Sequence, residues 1–346
     1  AMKTTWGVLG CGGIARRRTI PEGITKARNA ELRAVADTDA EAVRAVAEAF
    51  DAEACFDEAE LLRTDAAVIY IATPVCLHVA QAVRAAEAGK HVFCEKPLAL
   101  DVAGAQDVVD ACHANGVKLG VGLMMRFHAQ HQAALDIVRS GRLGAPVFAR
   151  AQLSCWYPPI PGAWRQDPAT GGGGTLMDLG AHCLDLLEMF FGHIARVSCS
   201  IANLVQAYPS EDTAVVLVEF EKGARGVVDV LFNVPDASSR NRLELYGSRG
   251  CVLAEGTIGQ GESGDMTAYL EEAARGYEAQ QTREAGRTIS ITPEPVNMYR
   301  AEVEAFSQAV LDDAAPPVDG EAGLRIQSVL AACYASARTG KTVAIS

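Results

Sequence analysis

Three side chains stand where acid–base chemistry can be done. Lys96 lies in His91-Val92-Phe93-Cys94-Glu95-Lys96-Pro97, a short apolar strand that stops at an acid, a base and a proline. Strands of an open parallel sheet end at the ligand crevice, so a lysine there can serve a ligand rather than bulk solvent. Asp178 and His182 lie in Gly171-Gly172-Gly173-Gly174-Thr175-Leu176-Met177-Asp178-Leu179-Gly180-Ala181-His182-Cys183-Leu184-Asp185. On a helix their spacing, i and i+4, puts both on one face. A histidine held by carboxylates suits general base work near neutral pH, and Asp185 could orient its imidazole. The competing readings are plainer: a strand running out into water, and a polar stripe turned to solvent. Leu179, Leu184, Leu186, Leu187, Met189 and Phe190 weigh against the second, since they predict a mostly buried helix.

A second constellation lies at the start of the chain. Trp6-Gly7-Val8-Leu9 is an apolar run followed at once by Gly10-Cys11-Gly12-Gly13-Ile14-Ala15. This is the G-x-G-x-x-A form of a dinucleotide-binding turn. Gly10 suits the tight turn, Gly12 the close approach of a pyrophosphate, and Ala15 the packing of helix on strand. Gly13 and Ile14 would carry the loop into a helix N-terminus, where unpaired amides favour phosphate. Asp37 ends the next apolar run, Glu31 to Ala36, about 20 residues on, as the motif requires. A carboxylate there accepts hydrogen bonds from ribose hydroxyls and repels a 2′-phosphate. Thr38 follows rather than an arginine, so NAD is expected before NADP; Arg16, Arg17 and Arg18 keep NADP in view.

The elements that would position these residues alternate. Ala40 to Phe50 reads as a helix, Ala66 to Ala72 as a strand buried on both faces, and Val75 to Ala88 as a helix stopped by Gly89. Asp101 is an expected N-cap, and Lys118 to Gly122 one more strand. Such alternation predicts a doubly wound parallel sheet. After Gly122 the texture changes. A helix over Ala129 to Ser140 precedes alternating runs at Val147 to Cys155, Ala214 to Phe220, Arg225 to Leu231 and Arg242 to Tyr246. The expected division is a nucleotide-binding α/β domain over 1–123 and, over 124–346, an α/β domain with a large, mostly antiparallel open sheet. One face of that sheet must be polar or covered, which points to a homo-oligomer. Residues 259–282 read as a surface segment. Val296 to Leu311 and Gly320 to Thr339 read as closing helices separated by Pro316-Pro317.

Further candidates cluster by position. Thr73-Pro74, at a strand end, His78 and Glu95 are candidates for cofactor contact. Arg126, Trp164 and Arg165 are expected near cofactor; Arg126, Arg165, His128, Trp156, Tyr157 and Tyr299 are expected to line a substrate site. Aromatics with an arginine suit a hydroxyl-rich ligand, and suit loop packing equally. His128 and His131 have HxxH spacing without a third ligand nearby, so no metal site is expected.

The formal net charge of −12 argues against nucleic acid or an acidic membrane surface as partner. Ten cysteines without a CxxC pair suit reduced thiols in the cytoplasm. No apolar run is long enough to span a bilayer.

Taken in order, GCGGIA, Asp37, Thr73-Pro74 with His78, GKHVFCEKP and GGGTLMDLGAHCLD resemble the Gfo/Idh/MocA oxidoreductases, from Trp6 to about Val343. The resemblance implies a Rossmann domain joined to an α/β domain whose open sheet makes dimers or tetramers. It implies NAD- or NADP-dependent oxidation or reduction of sugars, polyols and related compounds. Carried onto this sequence, it makes His182 the acid/base on a substrate hydroxyl, with Lys96 polarising that oxygen and joining a proton relay with Asp178. Trp164-Arg165 and Arg126-Phe127 fall on family pairs, whereas Met124-Met125 and Cys155-Trp156-Tyr157-Pro158 depart from the general pattern. A redox-neutral alternative keeps the same residues: transient oxidation by bound NAD, elimination from a glycoside, water addition and re-reduction. A cofactor-binding sensor is a third reading, against which the intact Lys96, Asp178 and His182 stand.

Overall fold

The computed structural model describes residues 2–271, 276–277, 279 and 286–345. The first elements are β1 (Thr4–Leu9), a π-wound helix (Ala15–Gly23), β2 (Ala30–Ala36), α1 (Ala40–Phe50), β3 (Glu53–Cys55) and α2 (Glu58–Arg63). Next come β4 (Val68–Ile71), α3 (Val75–Glu87), β5 (His91–Glu95), α4 (Val102–Ala114) and β6 (Leu119–Gly122). The middle of the chain holds α5 (Ala129–Arg139), β7 (Pro146–Ser154), the single turn α6 (Pro168–Gly171), and a π-wound turn (Leu176–Gly180) that runs on as α7 (Ala181–Phe191). Then follow β8 (Ile194–Ala202), β9 (Thr213–Phe220), β10 (Arg225–Leu231), β11 (Arg242–Gly247), β12 (Gly250–Glu255), β13 (Asp265–Leu270) and β14 (Arg287–Ser290). The chain closes with α8 (Met298–Leu311), α9 (Gly320–Thr339) and β15 (Val343–Ala344).

Two compact units result, and a single cut at residue 123 does not describe them. The first takes the chain up to Met124 and regains it twice, at Gly162–Gly174 and Asn297–Ser328; the second takes the remainder.

In the first unit six parallel strands lie in the order β3-β2-β1-β4-β5-β6. β4 is Val-Ile-Tyr-Ile with all four residues buried, as a strand covered on both faces must be. Helix starts carry their own caps: Asp39 accepts the Glu41 and Ala42 amides, and Asp101 accepts the Gly104 amide at 2.8 Å. Each such cap contributes about 1 kcal/mol. The core is aromatic at its centre. Phe93 lies 5.5 Å from Trp6 and 5.2 Å from Phe306 of α8, both edge to face, and the Trp6 indole donates to the Ser307 hydroxyl at 3.0 Å. Strand order reverses at β1, so the connections that leave β1 and β4 run in opposite directions along the sheet, the arrangement that opens a crevice at the strands' carboxyl end.

The second unit is a nine-stranded sheet ordered β14-β13-β12-β11-β7-β10-β9-β8-β15. Its pairs are antiparallel except β7 with β10. Alternation along β9 buries Ala214, Val216, Val218 and Phe220 and exposes Val215 and Leu217. α7 packs on the buried side with Leu184, Leu186 and Leu187 fully covered. The stretch 259–282 is not all surface loop. Within it β13 is a sheet strand whose Met266, Ala268 and Leu270 are buried, while 272–275, 278 and 280–282 lie outside the described residues.

Candidate functional site

The glycine loop follows β1. Gly10 has φ of 100°, and a Cβ there would meet the Ala72 carbonyl carbon and oxygen at 2.8 Å, so no other residue fits without strain. Gly12 and Gly13 differ: a Cβ at either would meet nothing within 4 Å, so the backbone edge lies open. At the end of β2 the Asp37 carboxylate accepts the Cys11 amide at 2.6 Å and the Asp39 amide at 3.1 Å. These bonds tie the acid to the glycine loop. An open peptide edge, a helix start at Ala15 and a held carboxylate fit a dinucleotide's pyrophosphate and ribose.

Beyond β4 and β5 the strand ends are tied together by His78. Its ring is 1 % exposed, with Nδ1 3.0 Å from the Pro97 carbonyl and Nε2 2.9 Å from the Thr73 carbonyl. Burial pushes its pKa down, against the pull of those carbonyls. The structure therefore places His78 beneath the strand ends, linking the residue after Lys96 to the end of β4. Thr73 donates to Gln81 at 2.5 Å, and Pro74 precedes the first turn of α3. Lys96 is partly buried, and its peptide bond to Pro97 is cis. Glu95 turns inward, where the Tyr70 hydroxyl donates to it at 2.6 Å. Burial raises the Glu95 pKa, opposed by that bond and by the charges of Lys96 and Arg165. In this same unit the Arg165 guanidinium stacks 4.1 Å from the Trp164 ring centroid. Tyr299 is 2 % exposed in α8, with the Arg18 guanidinium 5.0 Å above its ring, so it belongs to the core and not to an open wall.

In the second unit the helix bearing Asp178 and His182 starts on Glu211. That residue takes the Thr175 amide on its backbone carbonyl at 3.0 Å and the Leu176 amide on its carboxylate at 3.0 Å, and the Tyr334 hydroxyl donates to the same carboxylate oxygen at 2.8 Å. A carboxylate at this end also meets the positive end of the helix dipole. Asp178 sits in the π-wound turn and is partly buried; His182, one turn on, is 7 % exposed. The Cys155 thiol is pushed up to about 12 by burial and then by the Asp178 charge, which sets that carboxylate near the end of β7. Trp156 is 43 % exposed, and its amide donates to Asp236. Tyr157 packs on Phe232 at 4.8 Å, and its carbonyl accepts the Tyr208 hydroxyl.

Two expectations in this unit need correction. Asp185 does not orient the histidine. Its carboxylate, 2 % exposed, takes two hydrogen bonds from Arg126 Nε, at 3.0 and 2.8 Å, and one from Nη2 at 2.5 Å. Its pKa is raised by burial against the pull of Arg126. His128 is likewise no open substrate contact: it is fully buried and caps α5, its Nδ1 accepting the Gln130 amide at 3.2 Å. It stacks on His131 at 4.6 Å, whose ring spans the Met125 carbonyl and the Thr257 hydroxyl.

Some of this pattern had no reading in the sequence. Glu211 and Tyr70 carry no motif spacing, and only the topology brings them to the helix start and the strand end. Among the described residues no group of three or more His, Cys, Asp or Glu could hold a metal ion.

Comparison with known proteins adds the family. Residues 4–123 match the description "Oxidoreductase family, NAD-binding Rossmann fold", and residues 131–253 match "GFO/IDH/MocA C-terminal domain". The chain is 28% identical over 344 residues to 1,5-anhydro-D-fructose reductase of Ensifer adhaerens, covering 98% of each. It is 30% identical over 340 residues to D-xylose 1-dehydrogenase (NADP(+)) 2 of Haloferax volcanii, again covering 98% of each. Among solved structures it is similar to the aldose-aldose oxidoreductase of Caulobacter crescentus complexed with glycerol, with a TM-score of 0.87 and 27% identity over 99% of both chains. Both compact parts of the chain are matched in this way, and the chain belongs to the GFO/IDH/MocA family of oxidoreductases.

Proposed function

We propose that the protein is an NAD-dependent dehydrogenase that moves a hydride between a secondary hydroxyl or ketone of a sugar, glycoside or cyclitol and the nicotinamide. The observation that carries the cofactor reading is Asp37, held by the Cys11 amide at the end of β2, where a 2′-phosphate would meet a fixed negative charge. Xylose dehydrogenases among the relatives are named for NADP, so this carboxylate is the point on which the choice turns. The sugar reading is supported by the relatives' names: a reductase of anhydrofructose, a xylose dehydrogenase and an aldose oxidoreductase.

Bound NAD supplies the hydride acceptor. The chain's own residues supply the rest. His182 takes the hydroxyl proton, with Asp178 beside it in the same helix. Lys96 stabilises negative charge developing on the oxygen, an electrostatic role that a fixed, water-poor setting strengthens. Arg165 and Trp164, and separately Trp156 and Tyr157, are the proposed polar and aromatic contacts. Arg126, held by Asp185 and a quarter exposed, is a further proposed ligand contact.

A second copy of the chain is the proposed cover for the open sheet face. That face carries Val215, Leu217 and Tyr269 exposed, with Phe148 against Tyr246 at 6.1 Å. Ten free thiols support a reducing compartment, the cytoplasm. Among the described residues no helix is long and apolar enough to cross a membrane.

The test is a panel of aldoses, glycosides and cyclitols incubated with NAD, following NADH absorbance and sugar release together. NADH accumulating in step with substrate loss supports the dehydrogenase; sugar release without NADH supports redox-neutral glycoside cleavage instead. Lys96→Ala and His182→Ala, each with NAD binding measured separately, should bind NAD and lose turnover. Unchanged turnover in either variant overturns its assignment.

A further inference from the structure

A second carboxyl group faces Glu95 from α8, and nothing in the proposed chemistry uses it. β5 and β6 pair so that Phe93 lies opposite Gly120 and Glu95 opposite Gly122. Phe306 of α8 fills the space over the first pair: a Cβ on Gly120 would meet Phe306 Cδ2 at 2.5 Å and Phe93 Cδ2 at 2.8 Å. The Glu95 carboxyl fills the space over the second, its Oε2 3.1 Å from a Cβ built on Gly122. Glu95 is two residues past Phe93 on the same strand face, and Glu302 is one helical turn from Phe306 on the same helix face. The two steps carry both carboxyls into one layer above the aromatic core.

That layer is poor in compensation. Glu302 is 2 % exposed, and its Oε2 has no hydrogen-bond partner among the described residues. Glu95 is faced by Tyr70 from β4, by Lys96 just past the end of β5 and by Arg165 from the turn at Trp164–Gln166, whereas Tyr299 of α8, with Arg18 above it, faces both acids. Arg18 also pairs with Glu22 at 3.1 Å. Tyr70 donates to Glu95 and exchanges a 3.0 Å hydrogen bond with Thr19. Two carboxylates in one dry layer repel, and one of them then keeps its proton. Burial and the Glu95 charge both push the Glu302 pKa far up.

We propose that Glu95 and Glu302 hold one proton between them, and that Glu302 thereby acts as a positioning residue setting how much negative charge Lys96 meets. The effect on turnover rests on the reading of Lys96 given above; the shared proton does not. With Glu302 protonated, Lys96 faces one carboxylate. When Glu302 loses its proton at high pH, a second negative charge joins the first in this layer.

Infrared spectra of the ligand-free protein at neutral pH test the pair directly, through the stretch of a protonated carboxyl. The band is expected in the wild type and in Glu95→Gln, and its loss is expected in Glu302→Gln. Its absence from the wild type overturns the proposal, whether or not the variants fold. The alkaline limb of kcat, for an aldose turned over in the panel, is expected to move to lower pH by about half a unit or more in Glu302→Gln, because the second charge can no longer form. Superimposable pH profiles overturn the link to Lys96. If instead Lys96→Ala keeps turnover while the band is present, the assignment of Lys96 fails and the shared proton stands.

Discussion

Arg126 grips Asp185 through three hydrogen bonds, and that ion pair, not a histidine–aspartate couple, accounts for the burial of Asp185 in α7. The guanidinium is a quarter exposed and the carboxylate buried, so the acid depends on its partner.

Arg126→Met should therefore destabilise the protein by about 3–5 kcal/mol in urea denaturation, because it leaves a buried charge without compensation. Changing Asp185→Leu as well should recover part of the loss. If Arg126→Met folds as stably as wild type, the pair is not structural.

The glycine loop separates a fold effect from a binding effect. Gly10→Ala forces a Cβ against the Ala72 carbonyl at positive φ and should cost roughly 1–3 kcal/mol of stability. Gly12→Ala meets no protein atom within 4 Å, so its melting temperature should match wild type while NAD affinity falls roughly tenfold or more, about 1.4 kcal/mol. Calorimetric titration with NAD measures the second effect.

Cofactor choice should turn on Asp37. Asp37→Ser removes the charge that opposes a 2′-phosphate, so the ratio of kcat/KM for NAD over NADP should fall by roughly tenfold or more. An unchanged ratio would assign the preference elsewhere.

His78 bridges two strand ends without facing an opening. His78→Ala should lower kcat by roughly tenfold through misplacement of the Lys96–Pro97 segment. KM for NAD should change little. A raised KM with kcat intact would show instead that the ring contacts cofactor.

Acid should weaken the second unit through His131. Its pKa is lowered from 6.5 to about 3, by burial and then by the neighbouring His128, with the Met125 carbonyl pulling the other way. The unfolded chain thus takes up this proton first as pH falls. Stability is full above about 6.5 and drains as pH drops from 6.5 towards 3. The share owed to this one ring is roughly 3–5 kcal/mol. Denaturant midpoints measured across that range should decline less in His131→Gln.

Much of the first unit was legible because buried parallel strands write themselves as apolar runs, with turn and cap residues between them. Ala40 to Phe50 and the Asp101 cap were read correctly for that reason. What stayed hidden needed partners distant in sequence. Asp185 sits at a spacing that suits a histidine three residues before it, yet its partner lies 59 residues earlier. His78 has helix-start spacing but serves two carbonyls, and Phe306 of α8 meets Phe93 of β5 across more than 200 residues of sequence. A half-buried strand such as β13, short and flanked by glycines and charged residues, is not separated from loop by periodicity alone.

The parallel pairing of β7 with β10 also has a consequence for how the second sheet assembles. β8, β9 and β10 form one meander and β11 to β14 another, each able to zip locally from its own turns. β7 is made before all of them and lies between them, with Phe148 facing Arg225 on one side and Tyr246 on the other. The earliest strand therefore finds both its partners only among later strands, the nearer of them some 70 residues on. Joining them is a late, long-range event that should limit the folding rate of this unit.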